Sequence, residues 1–272
     1  MRNKVLIRLY GGLAFSISLF LFILDRSFLR WVVPVALGIF LVLIFLSVLF
    51  LFAVSMFYQK RTPVVKDDPF CRSLAYHTMD CILTLFRFRP IGIGLEKIPP
   101  KPCVLVCNHL SRFDPMVSFV LLKGRRLGFV SKKENMQIPI VGPITHRIGF
   151  VSLDRENPLR AMRTIHSAAK LVSEKGFTLG IYPEGTRSKS GALLDFKPGA
   201  FVLAKKALVP IVICTITGTG NHSRKFPFKK TAARFRVLRV LSAQTVKEMS
   251  AEELGELCRE EIRSELSKST ES

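Results

Sequence analysis

The sequence lacks most of the short motifs that identify common enzyme classes. It has no G-x-S-x-G of a serine hydrolase, no P-loop, no G-x-G-x-x-G and no H-E-x-x-H. Its cysteines form no C-x-x-C pair and stand at no zinc-finger spacing, so we interpret them as buried reduced thiols. We therefore expect neither a disulfide framework nor a metal site from them. They are Cys71, Cys81, Cys103, Cys107, Cys214 and Cys258.

Acidic residues are also scarce. Against 41 Lys and Arg, the 272 residues include 20 Asp and Glu, which gives a formal net charge of +21. Residues 58–240 hold this excess, because the positive charge of residues 1–57 and the negative charge of residues 241–272 cancel. A body this basic predicts an anionic partner, which could be nucleic acid, an anionic bilayer surface or a phosphorylated substrate.

Two apolar runs at the N-terminus predict a membrane anchor. Leu9–Leu24 is apolar or small throughout, and Trp31–Tyr58 has no charge and is long enough to span a bilayer. A signal peptide is the alternative for the first run, but no small-x-small cleavage site follows it. We predict an uncleaved helical hairpin, either spanning or re-entrant. Its basic flanks place both ends and the basic body on the cytoplasmic side.

Beyond residue 99, apolar strand candidates alternate with helical stretches. This alternation predicts an α/β fold with a mostly parallel or mixed sheet flanked by helices. The strand candidates are 104–107, 127–130, 150–153, 178–182, 211–216 and 235–241. The helix candidates are 70–89, 115–122, 158–174, 200–207 and an acidic helix from Ser250. We divide the chain into a hairpin (1–58), a linker with an amphipathic helix (59–99), the α/β domain (100–245) and an acidic C-terminal helix or tail (246–272).

Two polar loops follow strand candidates and could meet at the carboxyl edge of a parallel sheet. In "CNHLSRFDP", His109 precedes Asp114 by five residues, so the two can pair if His109 ends the strand and Asp114 begins the next helix. The alternative is a loop histidine and an N-cap aspartate. In "IYPEGTRSKSG", Arg187 suits phosphate oxygens and Gly185 permits close backbone approach. Glu184 could pair with Arg187 or bind a substrate hydroxyl, or this segment could be a simple turn.

Further cations follow other strand candidates. Lys132 and Lys133 end one strand and Arg155 follows another, and together they could line an anion site. The segment Arg224–Arg239 interleaves basic residues with phenylalanines, which is typical of RNA stacking or of a membrane-interface patch. Next to an apolar hairpin, the membrane-interface interpretation fits better.

These segments together resemble the glycerolipid acyltransferases, which include the enzymes that acylate 1-acyl-sn-glycerol-3-phosphate. "NHLSRFD" resembles the family's N-H-x-x-x-x-D block, and "YPEGTRSKSGALLDFKPGAF" resembles the block with core E-G-T-R-S. "KKENMQIPIVGPITHRIGFVSLDR" and "VPIVICTITGT" resemble the second and fourth blocks. The four blocks stand in the family's order within residues 100–220, and Arg112 occupies a variable position inside the first.

The resemblance implies a role for each matching residue. His109 would be the general base and Asp114 would orient it. Glu184, Gly185, Thr186 and Arg187 would hold the phosphate and glycerol of the acceptor, with Arg155 and Lys133 as further cations. Pro210 would shape a pocket.

The implied reaction moves an acyl group from acyl-CoA or acyl-carrier protein, as co-substrate, to the sn-2 hydroxyl of 1-acyl-sn-glycerol-3-phosphate. No cofactor, metal, covalent acyl-enzyme or nucleic acid is expected. The expected partners are a membrane lipid acceptor, the acyl donor and an anionic bilayer surface. Two alternatives stay open: another acceptor, such as glycerol-3-phosphate or a different lysophospholipid, and a non-catalytic, membrane-tethered binder of nucleic acid or anionic lipid.

Overall fold

A computed structural model describes residues 5–24, 31–59, 67–154, 157–188, 190–220 and 229–268. Within these ranges the chain forms one seven-stranded sheet in the order β1-β7-β6-β2-β5-β3-β4. The strands are Phe88–Ile93 (β1), Val104–Cys107 (β2), Leu127–Lys132 (β3), Val151–Leu153 (β4), Thr178–Ile181 (β5), Ile211–Thr217 (β6) and Thr231–Leu241 (β7).

The sheet is mixed. Strands β2 to β6 run parallel to one another, β7 runs antiparallel to β6, and β1 pairs with β7. Strands β2 and β5 are buried along their whole length, as expected for central strands covered by helices on both faces. The predicted fold class is therefore confirmed.

Helices connect and cover the strands. They are Val5–Leu24 (α1), Val32–Gln59 (α2), Pro69–Leu85 (α3), Asp114–Leu121 (α4), Lys133–Met136 (α5), Val141–Arg147 (α6), Pro158–Ser173 (α7), Gly199–Ala207 (α8), Ala243–Glu248 (α9) and Ala251–Lys268 (α10). Helix α10 begins with a capping box: the Ser250 amide donates to Oε2 of Glu253 (2.7 Å), and the Glu253 amide donates to Oγ of Ser250 (3.1 Å).

The predicted helix over 70–89 ends earlier than expected. Helix α3 stops at Leu85, Arg87 takes a left-handed conformation with φ 56°, and β1 begins at Phe88. Phe88 is fully buried, and Pro90 follows it, which a helix interior does not accommodate. The sheet thus begins before residue 100, where the sequence analysis placed the start of the α/β domain.

The acidic C-terminal helix packs on the basic body. Leu254, Cys258 and Ile262 of α10 are buried in the core on one side of the sheet. Glu265 and Glu261 of the same helix form ion pairs with Arg236 (3.0 Å) and Arg239 (2.9 Å) of β7. Two arginines of the segment predicted to meet lipid or RNA are thus paired within the protein, while residues 224–228 of that segment lie outside the described residues.

The N-terminal helices α1 and α2 pack against each other, and the Tyr10 and Ser47 hydroxyls hydrogen-bond across their contact. Among the described helices, the stretch Val32–Tyr58 is long and apolar enough to cross a membrane, and Leu9–Phe20 is a shorter apolar stretch. No residue in the most apolar window of α2 is buried inside the protein, which distinguishes it from a core helix. The predicted turn near residues 25–28 lies outside the described residues.

Candidate active site

The two polar loops meet at the carboxyl edge of the sheet. Strand β2 pairs with β5 in parallel, so the loops that follow them leave the sheet side by side. The backbone N–H of His109 donates to Oε1 of Glu184 (2.6 Å), and the Ser188 N–H donates to the carbonyl of His109 (2.9 Å). His109 is therefore held on both sides of its backbone by the loop after β5.

His109 and Asp114 form a hydrogen-bonded pair. Nδ1 of His109 lies 2.8 Å from Oδ2 of Asp114, which also accepts from the N–H groups of Leu110 (2.7 Å) and Ser111 (2.8 Å). A carboxylate oxygen that already accepts two N–H bonds fixes the hydrogen of the imidazole on Nδ1. Asp114 is fully buried, whereas the His109 side chain keeps 18% of its area exposed. Nε2 is thereby left as the nitrogen able to accept a proton.

Thr219 completes the surroundings of Asp114, and the sequence analysis missed it. Its hydroxyl donates to Oδ1 of Asp114 (2.6 Å), and its residue is 1% exposed. Gly218 brings the loop after β6 to this position with φ +84°, where an added Cβ would lie 2.0 Å from the carbonyl oxygen of Ala232. The available signal was the position of Thr219 after a strand parallel to β2.

Pro210 lies at the other edge of the sheet. It directly precedes β6, and its carbonyl accepts a hydrogen bond from the amide of Val104 at the start of β2 (3.0 Å). The carboxyl end of β2, where His109 follows, is at the opposite end of the strand. The structure therefore does not bring Pro210 together with the loops around His109, because the amino ends of parallel strands share one edge.

Glu184 holds the protein's own backbone. Its Oε1 binds the His109 amide, and its Oε2 accepts from the Leu194 amide (3.0 Å). The residue is 4% exposed, and burial raises the pKa of the Glu184 carboxyl, opposed by these two hydrogen bonds. Both oxygens are thus engaged with main-chain groups, whereas the sequence analysis assigned this carboxylate to the acceptor.

An aromatic ring supports the imidazole. Tyr182 stacks on His109 with 4.2 Å between ring centroids and 17° between planes, and Phe129 stacks on Tyr182 at 5.9 Å. Burial raises the pKa of the Tyr182 hydroxyl well above its ordinary value, so this ring stays neutral. No role was predicted for Tyr182 from the sequence. A stacked neighbour and a hydrogen bond to Asp114 together fix both the plane and the rotation of the imidazole.

Three of the remaining predicted residues, Thr186, Arg187 and Lys133, are exposed at this edge. Gly185 has φ +73°, and Thr186 and Arg187 are exposed immediately before Ser188. Lys133 is half exposed, with Nζ 3.6 Å from Oδ2 of Asp154. Arg155 lies outside the described residues. Within the described part of the chain, His, Cys, Asp and Glu side chains form no group of three that could hold a metal ion.

Residues 91–217 match the family model described as Acyltransferase, and this segment contains β2, β5 and the loops that hold His109, Asp114 and Glu184. Nearly half of the chain is thus similar to the acyltransferase family. The family resemblance inferred from the four sequence blocks is thereby confirmed.

Several curated proteins are similar to this part of the chain. Chloroplastic 1-acyl-sn-glycerol-3-phosphate acyltransferase BAT2 of Brassica napus is 40% identical over 130 residues, covering 47% of this chain and 37% of that protein. Human 1-acyl-sn-glycerol-3-phosphate acyltransferase beta is 30% identical over 166 residues, covering 60% and 59% respectively. The chain thus spans between 37% and 59% of the length of these two relatives.

A solved structure shares the fold over nearly the whole chain. The crystal structure of the 1-acyl-sn-glycerophosphate acyltransferase PlsC from Thermotoga maritima superposes with a TM-score of 0.58 at 21% identity. The alignment covers 99% of this chain and 98% of that one, so it extends to the N-terminal helices as well as the α/β domain.

Proposed function

We propose that the protein transfers a fatty acyl group from acyl-CoA or acyl-carrier protein to the sn-2 hydroxyl of 1-acyl-sn-glycerol-3-phosphate, giving phosphatidic acid. The observation that carries this proposal is the oriented base: Nδ1 of His109 is 2.8 Å from a buried carboxylate that also accepts from Thr219 and two amides. The names of the curated relatives support the choice of acceptor.

The mechanism follows from the two ring nitrogens of His109. Nε2 takes the proton of the acceptor hydroxyl as its oxygen attacks the thioester carbonyl, and Asp114 stabilises the imidazolium that forms. When the tetrahedral intermediate collapses, the carbon–sulfur bond breaks and the imidazolium returns the proton to the leaving thiolate. The hydroxyl attacks the thioester directly, so these steps use neither a covalent acyl-enzyme nor a cofactor.

The exposed side of the site fits an anionic acceptor. Thr186 and Arg187 lie at the surface next to the backbone that holds His109, and Lys133 follows β3 at the same edge. We assign the phosphate of the acceptor to these groups and to Arg155. Glu184 serves the acceptor indirectly, by fixing the backbone of His109. With α2 as anchor, the body works on the cytoplasmic face of the membrane, which the basic flanks of the hairpin support.

The test measures turnover of purified protein in detergent, with labelled acyl donors against glycerol-3-phosphate and a panel of lysophospholipids. His109→Ala should lower kcat about 10²- to 10⁴-fold, the range for loss of a general base. His166→Ala, an exposed histidine on α7, is the matched control and should keep full activity. Near-normal turnover of His109→Ala would refute the mechanism, and preference for another acceptor would refute the assigned substrate.

A further inference from the structure

The segment between β3 and β4 is attached to the anchor helix. The N–H of Ile140 donates to Oγ of Ser55 in α2 (3.1 Å), and this backbone has φ 71°, which is unusual for a β-branched residue. At the other end of α6, Arg147 donates to the carbonyl of Tyr58 (3.4 Å), and its guanidinium lies over the Tyr58 ring at 5.3 Å. Helix α6 therefore contacts the last turns of α2 at both of its ends.

These contacts fix the direction in which α2 leaves the body. Helix α6 follows the carboxyl end of β3 in the chain, and Gly149, just after α6, lies close to Gly128 near the amino end of β3. Helix α6 therefore runs from the carboxyl edge of the sheet toward its amino edge. Tyr58 contacts the C-terminal end of α6, and Ser55 contacts its N-terminal end. The rest of α2 thus extends beyond the carboxyl edge of the sheet, on the side where His109 lies. A bilayer that holds α2 faces the candidate active site.

The length of α2 sets the depth of this contact. Its 28 residues span about 42 Å, which exceeds the ~30 Å hydrocarbon core and matches the ~40–45 Å of a bilayer with its headgroups. The last turn of α2, with Ser55, therefore lies in the headgroup region. Ile140, which is hydrogen-bonded to Ser55, lies at the same depth.

Apolar side chains are exposed at that depth. Ile138 and Val141 flank Ile140 and keep 46% and 45% of their areas exposed, and exposed Lys132 and Lys133 precede them. Apolar side chains beside lysines are typical of segments that lie in a membrane interface, where the apolar groups enter the acyl boundary and the cations meet lipid phosphates.

We propose that residues 132–141, the β3–α6 segment, form a second membrane-contact surface that enters the headgroup region of the bilayer holding α2. The partner is an anionic lipid surface. This inference depends on the membrane association of α2 and is independent of acyl transfer.

The test is possible because the sequence has a single tryptophan, Trp31, which can be replaced. In a Trp31→Phe background, Ile138→Trp places a fluorophore on the β3–α6 segment, and Leu208→Trp is the matched control. Leu208 is 58% exposed and caps the C-terminus of α8, shortly before β6, so it lies at the amino edge of the sheet. Each full-length variant is reconstituted into phosphatidylcholine vesicles with phosphatidylglycerol, with and without bromine on the acyl chains.

We expect Ile138→Trp to have blue-shifted emission and to lose intensity in brominated vesicles, while Leu208→Trp keeps its intensity. Val141→Trp should behave like Ile138→Trp, which guards against a local effect of one substitution. Equal quenching of all three positions, or no quenching at Ile138 and Val141, would overturn the proposal. Thermal unfolding of each variant in detergent verifies that the fold is retained.

Discussion

Replacing Thr219 with valine tests whether the hydroxyl on Asp114 serves the base. Valine has nearly the shape of threonine but no donor, so Oδ1 of a fully buried carboxylate loses its 2.6 Å partner. A hydrogen bond to a charged group contributes about 1.5–3 kcal/mol. If the whole of this were lost from the transition state, kcat would fall about 10- to 150-fold. Three other donors still hold Asp114 through Oδ2, so we expect the lower end, about tenfold.

The assay compares initial rates of acyl transfer for Thr219→Val, Thr219→Ser and the unchanged protein over a range of acceptor concentrations. Thr219→Ser retains the donor and should restore kcat, whereas KM should change little in either variant because Thr219 is buried behind the pair. A thermal midpoint for each variant separates misfolding from misorientation of His109. Unchanged kcat in a folded Thr219→Val protein would show that the hydroxyl serves only the packing of the loop and does not support the His109–Asp114 pair.

Three other predictions follow from single residues. Gly218→Ala should lower the thermal midpoint more than Gly191→Ala, because both have φ +84° but only the first Cβ meets a backbone oxygen; equal losses would contradict this. Burial raises the pKa of Glu184 above its ordinary 4.5, so the folded state holds this proton more tightly and stability falls as pH rises through the interval between the two values. Glu184→Gln should remove the part of the loss in stability that comes from this carboxyl, which a comparison of unfolding midpoints at acid and neutral pH would measure. Cys81 is the half-buried thiol and the other five are buried, so Cys81→Ser should remove most of the rapid alkylation of native protein seen by mass spectrometry.

The strands around the site could be predicted from the sequence because their signals are local. The segment Val104–Cys107 is a short apolar run bounded by polar residues, and both predicted bounds agree with β2. Strand β1 was missed because "RFRPIGI" contains two arginines, a proline and a glycine, and it becomes a strand only by pairing with β7. Tertiary pairing, which propensity does not contain, decides that segment.

The candidate site shows the same division. The spacing of His109 and Asp114 allowed a pair, and the pair forms. The contacts of Glu184 and Thr219 could be found only in the folded structure, because their partners lie 75 and 105 residues away in the chain. The family resemblance implied that Glu184 holds the acceptor, whereas both of its carboxylate oxygens accept hydrogen bonds from backbone amides.

The shared hydrogen bonds between the loops after β2 and β5 bear on how this protein could be re-engineered. Glu184 and Ser188 each bind the backbone of His109, so the loop after β5 also sets the conformation of the loop after β2. Replacing that whole loop with the loop of a relative would disturb the backbone of His109, even if every contact with the proposed acceptor were copied correctly. Thr186 and Arg187 stand between these two fixed points and face solvent. Specificity for the proposed acceptor could therefore be redesigned by replacing these two residues and keeping those on either side.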